Sequence, residues 1–207
     1  MIEQQKRLAG QVIQVDLVPH RIQTVAGVDV AFPEHGRITR AAAVVMSYPA
    51  LELLDEAVVE VPTVMPYIPG LLSFRELPGV IKALGMLCTT PDLVLCDGQG
   101  RAHPRRCGIA CHLGVETGLA TIGVGKSRLC GTHEEPGPHK GDQARLTDGD
   151  ECIGMVVRSR DQVRPLFISV GHRISLGTAV ELTLTCTPRF RLPEPIRRAD
   201  RLAGQSA

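Results

Sequence analysis

The sequence contains no apolar run approaching the roughly 18 residues that a membrane-spanning helix needs, and its start is polar, with Glu3, Gln4, Gln5, Lys6 and Arg7. Neither export nor membrane insertion is signalled, and a cytoplasmic protein is the expectation. No Ser-, Gln- or charge-rich linker, internal repeat or low-complexity segment divides the 207 residues. That length is a little above the roughly 100–200 residues usual for one domain, so a single domain over residues 1–207 is expected. A strong charge of one sign is missing too: the net charge is +1, which neither demands nor excludes a polyanionic partner, because distribution matters more than the sum. Evenly paired cysteines are also lacking. Cys88, Cys96, Cys107, Cys111, Cys130, Cys152 and Cys186 make an odd seven, several inside apolar runs where a reduced thiol behaves as a small hydrophobe. Cys107, Cys111 and His112 form a C-x-x-x-C-H with no second ligand pair of recognisable spacing, which argues against zinc.

What is present is a globular composition, 43% hydrophobic and 22% charged, enough to bury a core without staples. Residues 22–32, 39–48 and 51–61 read as three successive strands. Pro62, Pro66, Pro69 and Gly70 then impose a loop carrying Met65, Tyr67 and Ile68. Pro78 suits the first turn of a helix in which Val80, Ile81, Leu84 and Leu87 repeat at helical spacing. Residues 91–97 are almost wholly apolar, as in a strand buried on both faces, and Gly98-Gln99-Gly100 ends them. A helix over 109–117, a strand over 120–125, a Gly/Pro-rich loop over 131–142, strands over 152–158 and 166–170, and helices over 179–186 and 194–202 complete the chain. The pattern predicts an α/β fold with a mixed central sheet, an antiparallel meander followed by alternating helices and parallel strands, flanked by helices.

Two carboxylates stand where a core would not want them. Asp29 interrupts the apolar run Val25-Ala26-Gly27-Val28-Asp29-Val30-Ala31-Phe32, where an ionised group costs several kcal/mol unless paired or metal-bound. Asp97 ends Leu93-Val94-Leu95-Cys96, at the carboxyl edge of a strand, where open α/β folds place their sites. If the two strands are neighbours, the carboxylates converge on a place suited to a hard cation such as Mg²⁺, as phosphodiester hydrolysis requires. The competing readings are a turn aspartate at 97 and a salt-bridged one at 29. Glu76 is a third candidate, although Ser73-x-x-Glu76 also matches a helix capping box. Ala120 to Ser127 fits a relaxed phosphate-loop pattern, but residues 120–124 are themselves a strand and no helix is signalled after Ser127, so Lys126 is kept only as a cation at a strand end. Arginines crowd 189–201, and Arg101, His103, Arg105 and Arg106 come soon after Asp97.

Taken in order, Val25 to Asp29, Pro66-Tyr67-Ile68-Pro69-Gly70, Phe74-Arg75-Glu76, Asp97-Gly98-Gln99-Gly100, His103-Pro104-Arg105, Thr121 to Val124, Lys126-Ser127-Arg128-Leu129 and Pro193-Glu194-Pro195 resemble the endonuclease V family across nearly the whole chain. The resemblance implies an RNase H-like fold and a DNA repair endonuclease. Such an enzyme recognises deoxyinosine and hydrolyses the second phosphodiester bond 3′ to it, leaving 3′-hydroxyl and 5′-phosphate ends. It implies Mg²⁺, with Mn²⁺ as a substitute, and inosine-containing DNA as partner of a monomer. The alternatives are an inosine-specific endoribonuclease of the same family and a non-catalytic lesion-binding protein. By the same likeness Asp29, Glu76 and Asp97 are the metal site and, with Lys126, the catalytic set. Asp200 and His103 lie near metal or phosphate. Pro66, Tyr67, Ile68 and Pro69 form a wedge that enters the duplex, and Leu72, Gly98, Gly108 and Ile109 shape the base pocket, where the two glycines let backbone amides approach a flat base. Gly125 stands where bacterial relatives commonly carry Ala, a change expected to loosen Lys126. His172 has no role the sequence supplies beyond that of a buried, satisfied histidine.

Overall fold

The computed structural model describes residues 1–205. The chain runs through α1 (Ile2–Ala9), β1 (Thr24–Ala31), the single turn α2 (Pro33–Gly36), β2 (Ile38–Ser47), β3 (Leu53–Pro62), α3 (Leu72–Gly85), β4 (Leu93–Asp97) and α4 (Ile109–Thr117). It continues with β5 (Thr121–Gly125), β6 (Gln143–Asp148), β7 (Glu151–Val157), β8 (Leu166–His172), α5 (Leu176–Thr185) and α6 (Glu194–Gly204). The strands form one sheet in the order β3-β2-β1-β4-β5-β8-β7-β6. β3, β2 and β1 make the antiparallel meander, and β1, β4 and β5 run parallel. β8, β7 and β6 then extend the sheet antiparallel from β5. This is the RNase H-like mixed sheet, flanked by helices, that the sequence pattern predicts. No helix among the described residues is long and apolar enough to cross a membrane.

Side chains alternate across a strand with period two, so each central strand feeds two cores. Val25, Leu93, Leu95, Ile122 and Val124 pack on one face with residues of α5 and α6, including Ala179 and Ile196. Ala26, Val28, Val94 and Cys96 pack on the other with residues of α3 and α4, including Val80 and Leu113. The near-continuous apolar run of β4 is the direct consequence, since both of its faces are covered.

Two elements differ from expectation. The helix anticipated from Pro78 begins six residues earlier at Leu72, with Pro78 inside it. Pro78 is exposed, so its ring lies on the solvent side, and the bond that its missing N–H removes is lost where water can serve the orphaned carbonyl. The capping box is not formed either: Ser73 is inside the helix, and its Oγ lies 3.1 Å from His112 Nδ1 instead. Strand β6 is not expected from the sequence, because its alternation is weak; it pairs with β7 through a turn at Gly149. Cys107 and Cys111 pack against Leu8 as small apolar groups, and among the described residues no Cys or His joins a metal-sized cluster. The relaxed phosphate loop is excluded, because β5 leads into bends and not into the helix whose N-terminus would hold a phosphate. His172 is satisfied as anticipated: its Nδ1 accepts a hydrogen bond from the backbone N–H of Ile13 at 3.2 Å, tying the segment after α1 to the end of β8.

The close approach of α6 to the sheet depends on Gly27. A Cβ there would lie 2.2 Å from the backbone carbonyl carbon of Pro195, a clash that only displacement of the helix can relieve. Gly27→Ala is therefore expected to cost about 3 kcal/mol of stability in urea melts. Gly85→Ala, where an added Cβ meets nothing within 4 Å, should change stability by no more than about 0.5 kcal/mol; equal effects at the two positions would refute this view of the packing.

Candidate active site

Parallel pairing aligns Val28 with Cys96, so Asp29 and Asp97, each the next residue, emerge together at one edge of the sheet. Both share a face with Gly27, Leu93 and Leu95, the face that α6 covers. From Pro195, which sits over Gly27, to Asp200 the helix advances about 7 Å, and from Gly27 to Asp29 the strand advances about 7 Å. The two elements consequently deliver Asp200 beside Asp29. One carboxylate oxygen from each of Asp29, Asp97 and Asp200 lies within 4.8 Å of the others.

Glu76 arrives from the opposite side. It sits on α3, which packs against the other face, and lines a small cavity with Val28, Asp29, Cys96 and Asp97. It is thus a neighbour of the aspartates without belonging to the closest trio. Oxygens on one octahedral Mg²⁺ lie about 3 Å apart when adjacent and about 4.2 Å apart when opposite, so carboxylates spread over as much as 4.8 Å would draw together to share an ion. An all-carboxylate donor set at a partly open edge is chemistry that fits a hard divalent cation.

Crowding and burial leave a mark on Asp29, Glu76 and Asp97. Asp29 is raised to about 7, first by burial, then by the charge of Asp97, against a 2.8 Å hydrogen bond from the Val30 N–H. Glu76 is raised to about 8 by burial, with Asp29 and Asp97 adding to it. Asp97 is raised by burial and held back by Lys126. The Lys126 ammonium forms an ion pair with Asp97 Oδ2 and lies 3.7 Å from Asp200 Oδ1. Its carbonyl accepts a 2.6 Å hydrogen bond from the Arg191 guanidinium, which also holds the carbonyls of Arg164 and Pro165.

Beside the carboxylates opens a cleft of about 200 Å³. Its walls include Leu72, Gly98, Gly108 and Ile109, as well as Tyr67, His103 and Glu76. Gly98 has a φ of +148°, and a Cβ there would meet Ile109 Cγ2 at 2.7 Å, so only glycine fits. Its amide, however, donates to Val124 O at 3.2 Å, and that of Gly108 donates to Gly100 O at 2.9 Å. Both amides are used in holding the loop, and the two glycines allow close packing there. The Gln99 side chain fills the space that a Cβ at 125 would need and donates from Nε2 to Ser127 O at 2.9 Å, bracing the residue after the lysine.

Pro66, Tyr67, Ile68 and Pro69 are exposed on the loop before α3, Tyr67 by 61%. The loop is anchored at Gly70, whose carbonyl accepts from Arg105 at 2.6 Å and Gln5 at 3.1 Å. His103 completes the anchor: its Nδ1 accepts from the Arg105 N–H at 3.1 Å, which leaves Nε2 as the donor to Gly70 O at 3.2 Å. Burial, with Arg105 beside it, drops the imidazole to about 4, so it is neutral at pH 7. His103 thus stands by the loop and lies outside the aspartate trio. Gln5 is not singled out by the sequence, because one of two adjacent glutamines on a short terminal helix offers no signal by which it could be.

A family model for endonuclease V matches residues 6–201. An endonuclease V of Azotobacter vinelandii is 58% identical over 203 residues, covering 98% of this chain and 91% of the relative. The crystal structure of endonuclease V from Streptomyces avermitilis superposes with a TM-score of 0.92 at 44% identity, covering 97% of this chain and 89% of that one. Ciona intestinalis endonuclease V, crystallised with a 24mer DNA containing an inosine followed by a ribo-adenosine, gives a TM-score of 0.83 at 28% identity, covering 97% and 93%.

The raised acids set a pH dependence that needs no substrate. An unfolded chain releases both protons in the ordinary carboxylate range, whereas the folded state holds them up to about 7 at Asp29 and about 8 at Glu76. Their contribution is complete below the ordinary range and is lost as pH rises through the folded values. In chelated buffer the melting temperature should fall as pH rises from the ordinary carboxylate range to about 8 and level off above it. Glu76→Gln should flatten that fall, and a slope unchanged by the substitution would show that Glu76 has no part in it.

Proposed function

The chain belongs to the endonuclease V family of nucleases, and on that footing we propose that it is a DNA repair endonuclease acting as one domain over residues 1–207. It recognises deoxyinosine and hydrolyses the second phosphodiester bond on the 3′ side, leaving 3′-hydroxyl and 5′-phosphate ends. The observation that carries the reading is the convergence of Asp29, Asp97 and Asp200 within 4.8 Å beside the cleft. The Ciona relative's complex with inosine-containing DNA supports the substrate class.

In this reading Asp29, Asp97 and Asp200, with Glu76 beside them, hold Mg²⁺, or Mn²⁺ in its place. A cation held there would supply Lewis acidity, lowering the pKa of a bound water and offsetting charge on the leaving 3′-oxygen. Tyr67 and Ile68, stiffened by Pro66 and Pro69, unstack a base step at little entropic cost. The extruded base enters between Leu72, Gly98, Gly108 and Ile109. Lys126, paired with Asp97, places an ammonium where the scissile phosphate lies and balances charge that grows there. His103, Arg105 and Gln5 position the wedge by holding Gly70.

A second substrate, inosine in RNA, is kept because the Ciona complex carries a ribonucleotide after the inosine; discrimination would rest on contacts to one 2′-hydroxyl. A panel of inosine in duplex DNA, single-stranded DNA and RNA separates the two, duplex or single-stranded DNA being the expected substrate. Cutting should stop in EDTA and return with Mg²⁺ or Mn²⁺; cleavage that survives chelation would refute the metal role. Asp97→Asn should lower the rate about 100-fold or more while binding persists. Tyr67→Ala should slow cutting of duplex by about tenfold and spare single strands, where little stacking needs breaking; an equal loss on both would argue against a wedge.

A further inference from the structure

We propose that Lys140, Arg160, Arg164 and Arg189, with Phe190 among them, form a second nucleic-acid contact surface that holds the phosphates of the strand beyond the cutting site. The proposal rests on the nuclease reading above and adds a surface to it.

The surface is connected to the active site through Arg191. Its guanidinium binds the carbonyls of Lys126 at 2.6 Å, Pro165 at 2.9 Å and Arg164 at 2.8 Å. One side chain thereby joins the loop after β5, which carries the site lysine, to the segments before β8 and α6. Next in the chain come Phe190 and Arg189, both exposed. Arg189 shares an open cleft with Lys140 and Arg160. A band of cations thus runs from Lys126 outward along one edge.

The charges in that band are left over by the fold. Arg37, Arg40, Arg101, Arg106 and Arg158 each lie within 4.0 Å of a carboxylate. Among the described residues, no carboxylate lies that close to Arg160, Arg164 or Arg189. Lys140 directs its ammonium to the Thr187 carbonyl at 2.6 Å. The one carboxylate lining the cleft, Asp161, accepts from the Lys140 backbone N–H at 2.6 Å. With Asp161 as the one carboxylate in the cleft, the cations leave a local positive excess, and a polyanion relieves it by releasing its own condensed cations.

Phe190 narrows the partner to nucleic acid. It is 37% exposed, with the guanidinium of Arg197 4.2 Å and that of Arg189 5.5 Å from its ring centroid. Arg197 is itself paired with Glu194 at 2.8 Å, and an exposed aromatic ring beside the free guanidinium of Arg189 can stack an unpaired base while that charge meets a phosphate. An acidic peptide would use the charges and leave the ring idle.

The test measures affinity against salt for the full chain on a long duplex of about 40 base pairs, with and without inosine. Each lost phosphate contact reduces the slope of log K against log salt by about 0.9. Arg160→Ala/Arg164→Ala/Arg189→Ala should therefore flatten the slope by about 2 to 3 and weaken both duplexes equally, with the single-turnover cutting rate at saturation unchanged. Arg189→Glu alone, a single surface change, guards against misfolding and should weaken binding in the same direction. Arg21→Ala/Lys82→Ala, which removes charge from α3 and from the segment before β1, should leave the slope nearly unaltered. An unchanged slope in the triple variant, or an equal change in the control, overturns the proposal. Slopes on inosine-free DNA do not depend on cutting. Failure of the parent chain to cut inosine substrates would sink the functional reading alone, while an unaltered slope in an active enzyme would sink only this surface.

Discussion

The molecule is organised around carboxylates forced together where they repel. Asp29 and Asp97 occupy adjacent parallel strands at one register, and at a separation under 4.8 Å two unit charges of like sign cost roughly 3 kcal/mol at an effective dielectric of about 20. Within the apolar runs that deliver them, the Val30 N–H gives Asp29 one hydrogen bond of 2.8 Å, and no side chain there carries a compensating charge. The fold answers in two ways. Lys126 pairs with Asp97, and Asp29 and Glu76 keep their protons to higher pH than usual. A divalent cation among them would remove the repulsion that makes the site costly.

Bringing four acids to one edge takes elements from both sides of the sheet. The β strands contribute Asp29 and Asp97 through alternation alone. α6 contributes Asp200 because Gly27 lets the helix backbone rest on the strand. α3 brings Glu76 from the opposite face, around the end of the sheet, so it lies beside the trio instead of within it. The geometry divides the acids into three whose oxygens lie within 4.8 Å of one another and one that stands beside them.

The loops around the edge are held by neutral and charged hydrogen bonds of distinct kinds. A neutral His103, a buried Gln5 and Arg105 converge on one carbonyl, that of Gly70, and so fix where the exposed Pro66 to Pro69 loop begins. Gln99 and Arg191 hold the segment around Lys126 from both sides. The exposed tip with Tyr67 is thereby mounted on a rigid base, which is what an inserting side chain requires.

Much of this was written locally in the chain. The apolar runs determined β1, β4 and β5 because strands covered on both faces have no polar positions to spare, and Asp29 and Asp97 stood out as the exceptions. The ordered motifs determined the family, and with it the identity of Glu76, Lys126 and the cleft glycines. What only the tertiary structure decided were contacts between residues far apart in sequence. Pro78 sits inside a helix because it lies on the water side. Asp200 joins the closest trio because a helix backbone touches Gly27. The amides of Gly98 and Gly108 are committed to Val124 and Gly100, and Gln5 reaches a loop sixty-five residues away. Periodicity reports which side of an element is buried; which partner buries it depends on packing between elements, and a sequence pattern carries no term for that.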